Sequence, residues 1–143
     1  MPTNARHYLF DTSAALALVD TGNPNRGWLL QFTNGSRRGL SGHAFFELYS
    51  VLTRLPQSAG RLSAAGAKAL IERDFPESRF LAPADQAALL TQLAAEGISG
   101  GSVYDALVGA AARAHGLPLI SCDLRARVVY RALGVDLVSQ TSS

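Results

Sequence analysis

Cysteine is almost absent. Cys122 stands alone, so no disulfide can form within the chain and the fold must be held by its core, which about 140 residues can supply. Lysine is as scarce, with Lys68 against twelve arginines. No apolar run approaches the ~20 residues that cross a bilayer, and Met1–Phe10 lacks the long apolar stretch that follows the basic residues of a secretory signal. These absences argue against a disulfide-stapled scaffold, a helical membrane protein and an exported one, and lead us to expect a reducing, cytoplasmic setting. No repeat, low-complexity tract or linker divides residues 1–143, which fits a single domain.

What is present is a globular balance. Hydrophobic residues make up 48% and charged residues 17%, a mixture that excludes disordered, collagenous and coiled-coil chains. Thirteen basic residues against eleven acidic ones leave +2, a faint pointer to nucleic acid. The arginine bias suits bidentate phosphate contacts, although genome base composition produces the same bias.

Short apolar runs alternate with helical patterns, the signature of parallel strands joined by helices. Tyr8-Leu9-Phe10 reads as a strand ending at Asp11, with Ser13 as cap of a helix to Val19. A turn over residues 21–25 leads to a helix over Arg26–Thr33. A short strand at Gly39–Ser41 precedes a helix over Gly42–Leu55, stopped by Pro56. Ser63 caps a helix to about Arg73, Phe80-Leu81 reads as strand, and Pro83 opens a helix to Glu96 that Gly97 closes. Ser102 starts the next helix, with Val103, Leu107, Ala110, Ala111 and Ala114 on one face, and Gly116 ends it. A buried strand over Leu117–Ser121, a helix over Leu124–Leu133 and a strand over Val135–Val138 complete a three-layer α/β fold with a mostly parallel central sheet.

Such sheets bind ligands beyond the carboxyl ends of their strands. Asp11 and Asp123 each follow a strand directly. Asp105 lies in the first turn of a helix, where the dipole favours a carboxylate, and Glu47 sits among Phe45, Phe46, Leu48 and Tyr49. Each has a local explanation as well. Asp105, three residues after Ser102, fits a capping arrangement; Asp11 and Asp123 fit loop residues satisfying backbone amides; Glu47 fits the outer face of an amphipathic helix. The separate explanations leave open why the topology brings all four to one edge of the sheet. Four carboxylates gathered there repel one another unless a cation offsets them. Oxygen donors without a His or Cys cluster favour Mg²⁺, with Mn²⁺ as a substitute, and such ions act on phosphoryl oxygens and bound water.

The motifs Leu9-Phe10-Asp11-Thr12-Ser13-Ala14, Gly42 through Pro56 around Phe46-Glu47-Leu48, Tyr104-Asp105-Ala106-Leu107-Val108, Leu119-Ile120-Ser121-Cys122-Asp123 and Tyr130-Arg131-Ala132-Leu133-Gly134-Val135 occur in this order across nearly the whole chain. In them the chain resembles the PIN-domain ribonucleases, specifically the VapC-type toxins of prokaryotic toxin-antitoxin modules. The resemblance implies a PIN fold and a Mg²⁺-dependent endoribonuclease in which Asp11, Glu47, Asp105 and Asp123 form an acidic quartet. Asp11 and Asp105 become the principal metal ligands, and Glu47 and Asp123 complete the pocket, orient the attacking water or hold a second ion. Ser13 and Ser121 are expected to hydrogen-bond carboxylates or waters. The products expected are 5′-phosphate and 3′-hydroxyl ends. The implied partners are RNA as substrate and a VapB-type antitoxin, within a homodimer or a toxin-antitoxin hetero-oligomer. The chain departs from many relatives in carrying Ser121 and Cys122 where they have Thr and Arg, and residues 124–127 offer no further acid, which weakens the expectation of a second tightly held ion.

The other features carry less. His7, His43 and His115 have no metal-like spacing, and Cys122 has no adjacent base to make it a nucleophile. Arg37, Arg38, Arg125, Arg127 and Arg131 form a candidate phosphate-tracking surface, with Arg125 and Arg127 nearest the acids. Trp28 reads as core or interface ahead of a base-stacking platform. Phe32, Phe45, Phe46 and Tyr49 offer an apolar face to a second copy or an antitoxin peptide. A haloacid-dehalogenase-type phosphatase needs an acid where Ser13 stands, a receiver domain needs a late Lys where only the mid-chain Lys68 exists, and no P-loop is present. The surviving rival is a PIN-fold RNA- or antitoxin-binding module with little catalysis. If the four acids share one pocket, seven acidic residues remain against thirteen basic ones, so the rest of the domain carries +6.

Overall fold

The computed structural model describes residues 5–138. Its centre is a four-stranded sheet in the order β2-β1-β3-β4, formed by β1 (His7–Phe10), β2 (Arg37–Leu40), β3 (Leu119–Ile120) and β4 (Leu137–Val138), with every pairing parallel. The four residues of β1 are all buried, as expected of a parallel strand covered on both faces. Its register sets Phe10 beside Leu40 on one side and Ile120 on the other. Three chain segments therefore leave the sheet side by side at its carboxyl edge.

Among the described residues, seven α-helices flank the sheet: α1 (Thr12–Val19), α2 (Arg26–Phe32), α3 (Ala44–Arg54), α4 (Ala64–Asp74), α5 (Pro83–Glu96), α6 (Ser102–His115) and α7 (Leu124–Ala132). One set packs α1 against α2 and α3, and α3 against α4; the other packs α6 against α5 and α7. The core joins Leu9, Phe10, Leu29, Leu40, Leu48, Phe75, Leu119, Ile120 and Tyr130, each with almost no exposed surface. Gly109 lets α6 approach α7 closely: a Cβ there would lie 2.9 Å from the Tyr130 ring and 3.1 Å from Val135. Gly97 and Gly116 close α5 and α6 in the left-handed conformation, the role their position after a helical run suggests. No helix of the described residues is long and apolar enough to cross a membrane.

Four local expectations are corrected. Phe80-Leu81 is not a strand. The chain lies along β2 slightly earlier, where Glu77 N donates to Arg38 O, Arg79 N to Leu40 O and Gly42 N to Arg79 O, leaving a single bridge between Ser41 and Arg79. The Phe80 carbonyl instead accepts from His115 Nε2 at 2.8 Å, and α5 begins at Pro83 with Ala82 as its N-cap. Secondly, Asp11 rather than Ser13 caps α1, accepting from Ala14 N at 2.9 Å. Thirdly, Ser102 is the first helical residue of α6, whose N-cap, Gly101, supplies no side-chain bond; the capping explanation for Asp105 has no such bond to rest on. Finally, Ala114 is exposed, and the buried face of α6 runs through Ala106 and Val108–Ala112. The face is broad because α5 and α7 both pack on α6.

Candidate active site

Asp11 emerges from β1 where the strand ladder ends, its backbone N–H donating to Ile120 O at 3.1 Å. Only 3% of the residue is exposed, yet both carboxylate oxygens have donors. Oδ1 accepts from Ser13 Oγ at 2.6 Å and from Ala14 N at 2.9 Å, and Oδ2 from Tyr130 Oη at 3.0 Å. Burial raises its pKa above the ordinary aspartate value, while hydrogen bonds from Ser121, Ser13, Ala14 and Tyr130 pull it back. The side chain is thus held in one orientation by groups from α1, the β3–α7 junction and α7.

Asp123 follows β3 in the same way. It caps α7, with Oδ1 accepting from Arg125 N at 2.9 Å and Ala126 N at 3.2 Å. At Asp11 and Asp123, therefore, the local explanation and the functional one hold together: one oxygen satisfies a helix N-terminus, which fixes the direction of the carboxylate. Glu47, in the first turn of α3, is exposed and accepts a hydrogen bond from Thr12 Oγ1 across the α1–α3 contact. Asp105, in the first turn of α6, is half-buried.

All four carboxylates line one hollow of about 260 Å³, together with Thr12, Ser13, Leu16, Val108 and Tyr130. None of the four forms an ion pair among the described residues. Burial raises the Asp105 pKa most; the negative charges of Asp123, Asp11 and Glu47 raise it further, and Arg125 lowers it in part. This is the mutual repulsion that a cation relieves. Among the described residues, no three His, Cys, Asp or Glu side chains form a group in ion-holding geometry. By donor chemistry, carboxylate oxygens are what a hard divalent ion takes.

Tyr130 is the functional candidate whose role sequence reasoning missed. It falls on the buried stripe of α7 with Ala126, and a hydroxyl on such a stripe needs a buried partner, which here is Asp11. Its own pKa is raised, by burial first and then by Asp11. Ser13 has a second task, because its Oγ also accepts from Cys122 N at 2.9 Å, tying the start of α1 to the end of β3. Burial pushes the Cys122 thiol up to about 11, so it is protonated at neutral pH.

The candidate arginines separate. Arg37 is paired with Glu77 at 2.7 Å, and Arg38 Nε donates to Thr33 Oγ1 at 2.9 Å. Arg127 is buried, with Nη1 donating to Ser121 O and Val138 O. Arg125 and Arg131 are exposed on α7. The apolar set also divides. Phe32 stacks on Trp28 and leans on Tyr8, whereas Phe45, Phe46 and Tyr49 line a larger hollow of about 490 Å³ between α3 and α4. His7 and His115 bond to backbone carbonyls, and His43 lies against the Tyr104 ring.

An all-parallel sheet with four acidic side chains at its carboxyl edge defines the class of the molecule. The PIN domain pattern matches residues 8–132, and the chain belongs to the PIN domain family. Among characterised proteins it is similar to Ribonuclease VapC27 of Mycobacterium tuberculosis (strain ATCC 25618 / H37Rv), with 37% identity over 90% of this chain and 93% of that protein. It is likewise similar to Ribonuclease VapC40 of Mycobacterium tuberculosis (strain CDC 1551 / Oshkosh), with 40% identity over 68% of this chain and 73% of that protein.

Proposed function

We propose that the chain, read as a single PIN domain over 1–143, is a cytoplasmic endoribonuclease toxin of a toxin-antitoxin pair, cutting RNA phosphodiester bonds with Mg²⁺ or Mn²⁺. One observation carries this reading: four carboxylates from four segments line one hollow, and among the described residues no cation is paired to any of them. The similarity to two VapC ribonucleases supports the substrate. Asp11, Glu47, Asp105 and Asp123 are the residues that would hold the ion. When bound, a divalent ion neutralises a phosphoryl oxygen and makes its bound water a stronger nucleophile.

The remaining chemistry belongs to the chain. Asp11 is held rigid by Ser13, Ala14 and Tyr130, and Asp105 faces it from the start of α6. Thr12 turns Glu47 towards the hollow, where it orients the attacking water or receives its proton. Asp123 commits Oδ1 to the start of α7, which leaves Oδ2 for the same tasks. Arg125, close enough to act on Asp105, offers a cation to the sugar-phosphate backbone at the rim. The leaving 3′-oxygen departs as a hydroxyl, and the attacking oxygen stays on the 5′-phosphate.

The partner reading is a VapB-type antitoxin in a hetero-oligomer, with a homodimer as the toxin's own assembly. It is supported by the hollow between α3 and α4, where Phe46 is 65% exposed.

The test is incubation of the purified chain with cellular RNA in Mg²⁺ and in chelator. Cleavage in Mg²⁺ alone, leaving 5′-phosphate ends, is the expected result. RNA that is bound and never cut would overturn it in favour of a binding module, and equal cleavage by Asp11→Asn would overturn the site.

A further inference from the structure

Beside the acidic hollow lies a second cavity of different character. It measures about 330 Å³ and is lined by Asn25 and Trp28 of the α2 region, Cys122 of the β3–α7 junction, and Leu124, Arg127 and Arg131 of α7. The wall between the two cavities is thin. Ser121 and Cys122 face the second cavity while Asp123 lines the first, and Cys122 N donates to the same Ser13 Oγ that donates to Asp11. Adjacent residues, Cys122 and Asp123, thus line the two cavities, which places them side by side along the path of a polymer chain.

The lining has the chemistry of single-stranded RNA recognition. Trp28 is stacked on Phe32 with centroids 5.3 Å apart and 14° between planes, which locks the indole in orientation. Aromatic faces of this kind take unstacked nucleobases. Arg131 is exposed, and its side chain has no ion-pair or hydrogen-bond partner among the described residues, unlike Arg37 and Arg38. Arg127 is engaged with the ends of β3 and β4 and stiffens the wall. Leu124 leaves 80% of its surface open at the mouth. The volume is at the low end for a small-molecule pocket, suited to one nucleotide and too small for a helix.

We propose that this cavity binds the nucleotide next to the scissile phosphate, its base against Trp28 and its phosphate towards Arg131, and so contributes to the choice of cleavage position. The inference rests on the ribonuclease reading above and adds a site to it. Trp28 is the only tryptophan of the chain, so its fluorescence reports on the cavity directly.

The experiment titrates the intact protein, in chelator so that nothing is cut, with a short single-stranded RNA. A companion series carries one abasic residue at each position in turn. Saturable quenching is expected, abolished by an abasic residue at one position adjoining the bond that is cut once Mg²⁺ is added. Arg131→Gln should weaken binding and lower the salt dependence of log Kd by about one phosphate contact. Trp28→Leu should raise KM between about fivefold and a hundredfold, and Arg73→Gln is the charge-matched control for Arg131→Gln. Cleavage without quenching, with the KM of Trp28→Leu unchanged, overturns the subsite and leaves the nuclease standing. Quenching without metal-dependent cleavage leaves an RNA-binding cavity but overturns the nuclease and, with it, the placement beside a scissile phosphate; neither signal overturns both.

Discussion

Glu77 and Asp105 lie at opposite ends of the same sheet, and their carboxylates are treated in opposite ways. At the β2 edge Arg37 approaches Glu77 at 2.7 Å and Arg79 at 3.3 Å, and the hydrogen bond from Arg37 holds the Glu77 carboxyl below its ordinary value. His7 donates from Nε2 to the Glu77 carbonyl, and burial lowers its pKa below the ordinary histidine value. In the acidic hollow no arginine pairs with a carboxylate, and both Asp11 and Asp105 are shifted upward. One end of β1 is a surface whose charges satisfy each other; the other, four residues later, is a site whose charges need something from outside. Unpaired like charges cost stability, and folds tolerate that cost at functional sites.

The hardest break in the comparison is Gly39→Ala on the paired side. Its Cβ would sit 1.9 Å from the Glu77 carbonyl oxygen, and backbone cannot step aside as a side chain can. We expect a loss of about 3 kcal/mol or more, seen as a chain that melts early or does not accumulate folded. Tyr130→Phe comes next, on the unpaired side. It keeps the packing against Gly109 and removes the donor to Asp11 Oδ2, and should raise the Mg²⁺ concentration for half-maximal cleavage about 10- to 100-fold with an unchanged circular dichroism spectrum. An unchanged metal requirement would show that Ser13 and Ala14 suffice to hold Asp11.

Asp105→Asn sharpens the contrast in sign. A carboxyl whose folded pKa is raised contributes stability below its ordinary value of about 3.9 and loses it as pH rises through the folded value. Metal-free protein should therefore lose stability as the pH climbs through the folded values of Asp11 and Asp105. At neutral pH the neutral amide should melt about 2–4 °C higher than wild type in chelator, while cleaving RNA poorly. Glu77→Gln should do the reverse on a smaller scale. Its lowered pKa gives stability present above the ordinary carboxylate value and lost as pH falls, and the pair is exposed, so the melting temperature drops slightly and cleavage is unaffected. A fall in kcat for Glu77→Gln would mean that the two ends of β1 are coupled.

Much of the hollow was legible because its parts are local signals. A strand that stops at an aspartate and a helix that starts at one each announce themselves in sequence, and two of the four carboxylates turned out to cap the helices they precede. Glu47 was legible through its company, an acid among Phe45, Phe46 and Leu48. The contact that completes the clamp was not: Tyr130 and Asp11 are 119 positions apart, and nothing in the periodicity of α7 says which acceptor its hydroxyl will meet. The edge of the sheet misled for a related reason. Residues 80–81 have strand-like composition, but backbone partners along β2 were already taken by residues 77–79. Trp28 stayed ambiguous in sequence because its meaning depends on Cys122 and Arg131, which the fold brings to it from the β3–α7 junction and α7.

The claim on which the rest depends is that the repulsion in the hollow exists to be relieved by a divalent ion. Thermal unfolding of wild type and Asp11→Asn, followed from chelator into rising Mn²⁺ at neutral pH without RNA, tests it without recourse to catalysis. The account predicts a melting temperature that climbs saturably with Mn²⁺ for wild type, as for any ligand bound by the folded state alone, and a flat response for Asp11→Asn. The same rise in both proteins, or none in wild type, would contradict it.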